Sequence, residues 1–171
     1  MSDFLTLAAN RYSCRKFSDQ PVSEEQGTAI LTAGILAPTA VDKQPWHAWV
    51  ITGDEDVAKL AATTRFHFDA KTFIVVGSAV DEAWVRKFDG YNYADVDAAI
   101  AATQMMLEVQ DLGLGTTWVG HFDAPALKEA FPQMANNNLL AIFPLGYPAP
   151  DAEPGPLHAK RKPADELIDH V

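Results

Sequence analysis

The run Phe73-Ile74-Val75-Val76-Gly77 contains no polar side chain. A strand with one face in water alternates apolar and polar residues, so an unbroken apolar run predicts a strand buried on both faces. Such a strand has to sit inside a packed core. At 171 residues the chain is long enough to supply one, burying about 70% of its unfolded surface as a single domain over residues 1–171 without a metal or disulfide staple.

Elements of both types alternate around this run, with no repeat and no low-complexity tract. Ser2 is placed to cap a short helix to about Ala9, with Phe4, Leu5 and Ala8 on one face. Ser23 and Gln26 have capping-box spacing ahead of a helix stopped by Pro38. His47 to Thr52 reads as a strand and Asp54 to about Ala62 as a short helix. Ala98, Ala99, Ala102, Met105, Met106 and Val109 give a wide apolar surface to a helix from about Val96 to Leu112, for which Asp95 is the expected cap. Asp123 and Pro125 open a helix to about Phe131, and Leu139 to Gly146 reads as a further strand. Residues 148–171 begin with Pro148, Pro150, Pro154 and Pro156 and end with Leu167 and Ile168, a tail expected to run over a surface before docking or to fray.

Charge narrows the function. Arg11-Tyr12-Ser13-Cys14-Arg15-Lys16 and Lys160-Arg161-Lys162 hold six of the thirteen Lys and Arg residues in a chain of net charge −10. Solubility does not require them, and two small patches are too little for a nucleic-acid backbone. Arg11-x-Ser13-x-Arg15 places two guanidinium forks around a hydroxyl, which suits a phosphate, although short basic stretches also occur as solvated faces. The single cysteine, Cys14, cannot form an internal bridge, and the N-terminus lacks the pattern of a signal peptide. Together these point to the cytoplasm. No run of about eighteen apolar residues predicts a membrane span.

Ala37-Pro38-Thr39-Ala40-Val41-Asp42-Lys43-Gln44-Pro45-Trp46 lies between a helix and a strand. Its small residues would let backbone amides approach a flat polar ligand, with Gln44 bonding an edge; the alternative is a rigid connector with Trp46 in the core. Gly113-Leu-Gly115-Thr-Thr-Trp118-Val-Gly120 follows a helix, so it is no dinucleotide fingerprint, and Gly113 reads as a helix C-cap. The five histidines have no metal-ligand spacing, and no phosphate-binding Gly-Lys-Ser/Thr loop or nucleophile elbow is present.

In order, Arg11-x-Ser-x-Arg15 with Phe17, Ala-Pro-Thr-Ala-x-Asp-x-Gln-Pro-Trp46, Gly-Leu-Gly-Thr-Thr-Trp-Val-Gly120 with Phe122-Asp123, Leu145-Gly-Tyr-Pro148 and Arg161-Lys-Pro163 resemble the FMN-dependent nitroreductase family from about residue 9 to 169. The resemblance implies an α+β fold with a central mixed sheet flanked by helices, built as an intertwined homodimer whose 148–171 tail docks on the partner. It further implies an enzyme that takes a hydride from NAD(P)H and reduces nitroaromatics, quinones or similar acceptors by a ping-pong mechanism. The alternative is a flavin-holding or redox-sensing protein without efficient NAD(P)H turnover.

By the same resemblance, Arg11, Ser13 and Arg15 hold the FMN phosphate and ribityl chain and Arg161 joins them from the C-terminal end, while Pro38, Thr39 and Ala40 approach the ring from the partner; Tyr12, Asp42 and Gln44 complete the cofactor-binding candidates. Val119 and Gly120 offer backbone N–H groups near the ring. No catalytic side chain and no metal are implied, since the chemistry belongs to the cofactor. Asp42 stands where the family usually has Asn, and His121 where a small residue is common. The short Thr63–Tyr93 region leaves Phe66, Phe68, Phe88 and Tyr91 as the candidate lid.

Overall fold

The computed structural model describes residues 3–171. The elements are α1 (Asp3–Asn10), α2 (Glu24–Ile35), β1 (Trp46–Ile51), α3 (Asp54–Ala61), β2 (Thr72–Ser78), α4 (Ala94–Asp111), β3 (Gly115–Thr116), α5 (Ala124–Ala130) and β4 (Asn138–Gly146). Single 3-10 turns lie at Ala40–Asp42, Val80–Glu82, Pro132–Met134 and Ala164–Glu166. The expected Ser2 cap lies outside the described residues. Among those residues no helix is long and apolar enough to cross a membrane.

The sheet has the order β1-β2-β4-β3, and every ladder in it is antiparallel. Its mixed character is confined to one parallel bridge, Ser13 to Thr116, because β3 is only two residues long and offers the N-terminal segment little to pair with. The apolar run occupies the second of the four strands. Phe73, Ile74, Val75 and Val76 are each at most 2% exposed. Ile74 and Val76 pack with Ile30, Ala98, Ala102, Met105 and Phe143 on one face, while Phe73 and Val75 pack with Leu60, Leu127, Phe131 and Met134 on the other. Burial of each such side chain contributes about 1.5–3 kcal/mol. The architecture is therefore α+β, with α2 and α4 on one side of the sheet and α3 and α5 on the other.

Local chemistry explains the boundaries. The Ser23–Gln26 capping box is formed, with the Gln26 N–H donating to Ser23 Oγ at 3.2 Å and the Ser23 N–H to Gln26 Oε1 at 3.1 Å. Gly113, at φ +71, closes α4: its N–H donates to Gln110 and that of Leu114 to Val109, satisfying two terminal carbonyls. Asp123 caps α5 through the Ala126 N–H at 3.0 Å. Asp95 does not cap α4. Asn92 Oδ1 accepts the Ala94 N–H at 2.9 Å, and Asp95, the second residue of α4, accepts from Ser78 Oγ at 2.6 Å and Asn138 Nδ2 at 2.9 Å. A carboxylate at a helix N-terminus is favoured by the dipole; here that carboxylate also clasps the end of β2 and the start of β4.

Candidate functional site

Period-two geometry organises the first basic cluster. Residues 11–17 run extended beside β3, with the Cys14 N–H donating to the Thr116 carbonyl at 2.9 Å. Cys14 is fully buried, so its alternate neighbours Ser13 and Arg15 face outward with Arg11. Gly115 makes this close approach possible, because a Cβ there would sit 2.7 Å from both Cβ and Sγ of Cys14.

The tail returns to the same strand. The Ala149 N–H donates to the Lys16 carbonyl at 3.1 Å, and Lys16 Nζ meets Asp151 Oδ2 at 2.6 Å. Beyond that tether the chain turns at Gly155–Lys160, and a pocket of about 290 Å³ forms between Arg11, Ser13 and Arg15 on one side and Gly155, His158 and Arg161 on the other. The two basic ends of the sequence thus share one cavity. Arg161 Nη1 donates to the carbonyls of His158 at 2.6 Å and Lys160 at 2.8 Å, which fixes its fork on the turn. Among the described residues no carboxylate forms an ion pair with Arg11, Arg15 or Arg161, although the chain carries 23 acidic residues. Lys16 is committed to Asp151, and Lys162 lies 3.5 Å from Glu166. Beside the pocket, burial and the neighbouring Cys14 push the Tyr12 phenol up to about 12, so its hydroxyl stays neutral.

The Pro38–Gln44 loop lies elsewhere. It precedes β1, at the end of the sheet where Trp46 pairs with Ser78 and Ser78 with Asn138, whereas Ser13 joins β3 where Gly115 pairs with Gly146. The nine residues of β4 separate these ends by about 27 Å at 3.4 Å per residue. Val41, Asp42 and Gln44 are left-handed at φ 47, 55 and 50, a conformation costing roughly 1–2 kcal/mol per non-glycine residue. Hydrogen bonds hold the loop: the Gln44 N–H donates to Thr39 Oγ1, Gln44 Nε2 to Asp42 Oδ1 and the Ala40 N–H to Asp97 Oδ1, each at 3.0 Å. Asp42 and Gln44 are thus partnered with each other. Trp46 is half-buried against the core, so the segment also serves as the rigid connector.

Of the two amides expected near a ring, Val119 departs from expectation. Its N–H donates to the Ile142 carbonyl at 3.0 Å and its carbonyl accepts from Ile142 in return, which extends the sheet edge past β3. The Gly120 N–H, in contrast, makes no hydrogen bond among the described residues. Beside it, Thr64 Oγ1 donates to the His121 carbonyl at 2.7 Å, and Phe66 packs edge-on to His121 at 5.4 Å. Phe66 and Phe68 therefore border the Gly120 loop. Phe88 and Tyr91 belong to a separate hairpin with Trp84, Arg86 and Tyr93, where Phe88 is 99% exposed.

Two kinds of site residue leave little trace in the sequence. Gly155 and His158 wall the pocket through a turn that a proline-rich composition does not reveal. Asp97 is 1% exposed and holds the Ala40 loop. Its only signal is an acidic residue on the stripe Ala94, Ala98, Ala101, Met105 that α4 buries.

The sequence matches the nitroreductase family in two overlapping stretches, residues 8–66 and 59–147. A nitroreductase family protein of Clostridium difficile 630 is 33% identical, with a TM-score of 0.90 over 98% of this chain and 98% of its own. A protein of Archaeoglobus fulgidus, named as a candidate NADH dehydrogenase/NAD(P)H nitroreductase, is 30% identical across 86% of this chain and 87% of its own. A protein of Desulfovibrio desulfuricans named as a candidate nitroreductase, solved in complex with FMN, is 28% identical, with a TM-score of 0.81 over 100% of this chain and 98% of its own.

Proposed function

The chain belongs to the nitroreductase family, and on that premise we propose that it is an FMN-dependent oxidoreductase drawing on NAD(P)H and reducing nitroaromatics, quinones or similar acceptors in a ping-pong cycle. The observation that carries this reading is the pocket where Arg11, Arg15 and Arg161 converge without a carboxylate. Uncompensated guanidinium groups repel one another, and a phosphate dianion relieves that repulsion while accepting several charge-assisted hydrogen bonds. The donor set fits the phosphate of FMN: two forks and the Ser13 hydroxyl from one strand and a third fork from the tail.

When bound, FMN supplies the hydride-accepting and hydride-donating chemistry, and the protein supplies binding and electrostatics. Gly120 has a free amide and no side chain to bar close approach, which suits it to stabilising charge on a ring edge. The Thr39–Ala40 loop would bound the ring from another direction. Because that loop and the phosphate pocket of one chain lie at opposite ends of β4, one cofactor meeting both needs two chains. This supports the homodimer; residues 149–161 pack on their own strand, and of the 148–171 tail the exposed residues 162–171 are left to dock on the partner. Residues 1–171 then act as a single FMN-binding domain, and we place it in the cytoplasm.

The test is spectroscopic. Chain mixed with FMN should retain the visible flavin bands through gel filtration at a dimer's size. Anaerobic NADH or NADPH should bleach those bands, and a nitroaromatic or quinone should restore them. Failure to retain FMN would overturn the proposal. Retention without bleaching by either nucleotide would favour a flavin-holding protein, for which the exposed His121 beside Gly120 would be the first residue to examine.

A further inference from the structure

Asp97 is the most deeply buried carboxylate among the described residues. It is 1% exposed, one oxygen accepts the Ala40 N–H at 3.0 Å, and the other has no hydrogen-bond partner. Its neighbours on the buried stripe of α4 are alanines and Met105. The helix N-terminus favours a negative charge there, but a half-satisfied buried carboxylate contributes less to stability than an apolar side chain of similar size. Packing therefore gives no reason for an acid at this position. The contact it makes does give one.

Ala40 opens a loop whose following residues Val41, Asp42 and Gln44 are left-handed. The loop's other bonds are internal to it: the turn bonds Asp42 N–H to the Thr39 carbonyl and Lys43 N–H to the Ala40 carbonyl, and the exposed bonds Gln44 N–H to Thr39 Oγ1 and Gln44 Nε2 to Asp42. Among the described residues, only the Asp97 bond ties the loop to a core helix through a side chain. Removing it would leave an unfavourable conformation supported only by a short turn and side-chain bonds within the loop itself.

We infer that Asp97 is a positioning residue, whose buried carboxylate sets the shape of the Thr39–Gln44 loop from behind and thereby presents that loop to the flavin. The second part rests on the FMN reading above.

Amide hydrogen exchange of the chain without FMN tests the first part. Asp97→Ala and Asp97→Leu should speed exchange at Ala40 by about tenfold or more, the factor associated with one buried hydrogen bond to a charged group, while Val109 on the same helix keeps its protection. Asp97→Asn, whose side-chain oxygen still accepts, should restore Ala40 close to the parent rate. Quenching of FMN fluorescence tests the second part: the Kd should rise about tenfold in the Ala and Leu variants and recover in Asn.

Unchanged exchange at Ala40 in Asp97→Ala would overturn the inference. So would unfolding of both Ala and Leu variants, which would make the carboxylate structural, or a loosened loop with unchanged FMN affinity. The FMN reading fails separately: a parent chain that takes up no FMN would overturn it, and exchange at Ala40 would then decide the role of Asp97 in shaping the loop. Arg11→Ala is the control, weakening FMN while leaving Ala40 exchange at the parent rate.

Discussion

The Pro38–Gln44 loop and the Pro148–Arg161 tail both carry binding residues, and they are held by different means. The loop keeps three left-handed side-chain-bearing residues in place with internal hydrogen bonds and an anchor on α4. The tail has no residue in that region of backbone space and is tethered by an exposed ion pair, a few backbone bonds and its own turn. The loop's shape exists before any ligand arrives, whereas the tail's position depends on charges that a ligand would complete. Changes in the loop should therefore alter conformation, and changes around the tail should alter affinity.

Ending the chain at Asp151 should break this contrast most severely. It removes Arg161 and the Gly155–His158 wall, and at about 1.5–3 kcal/mol for each charge-assisted hydrogen bond removed, FMN affinity should fall by about a hundredfold in a fluorescence titration. Exchange at Ala40 should stay unchanged. Arg11→Ala, which keeps the tail but removes one fork, should cost about 2 kcal/mol, roughly thirtyfold in Kd, with little change in unfolding midpoint. Arg161→Ala should behave alike.

Gly115→Ala sharpens the comparison from beneath. The added methyl would meet Cys14 at 2.7 Å and force the strand off β3, lowering stability in urea by about 1–3 kcal/mol and weakening FMN as well. Thr39→Val removes the acceptor for the Gln44 N–H. It should cost about 1 kcal/mol, seen as faster amide exchange in the loop with Arg11 and the tail unaffected.

The smallest effect should come from pH at the tether. Lys16 holds the Asp151 carboxyl below its ordinary range, and Asp151 holds the Lys16 ammonium above its own. The acid's contribution is present above the ordinary carboxyl range and is lost as pH falls through its lowered folded value. The lysine's contribution is complete below the ordinary amine range and is lost as pH rises through its raised one. Protection of the Ala149 amide should accordingly decline below about pH 4 and above about pH 10.5. Both groups are exposed, so the change should be slight and smaller still in high salt.

Features whose cause is local are legible in the sequence. The Phe73–Gly77 run, the Ser23–Gln26 box, Gly113 and Asp123 each act within a few residues, and each appears where its chemistry places it. The basic clusters are legible for a different reason: six cations in an acidic chain remain conspicuous wherever the fold carries them. Asp95 has the look of a local cap, but its partners, Ser78 and Asn138, arrive from other strands. The Val119 amide, expected free, is claimed by Ile142 across the sheet edge. The left-handed backbone at Val41, Asp42 and Gln44 leaves no mark in residue type, since no glycine is used there. Its support from Asp97 spans 57 positions of sequence.

Cys14 is the chain's single cysteine, and it lies sealed beneath the strand that carries Ser13 and Arg15. A thiol reagent can reach it only when that strand lifts from Gly115 and Thr116. Its rate of modification would therefore serve as a clock for the opening of the anion pocket, one that should slow as the pocket fills.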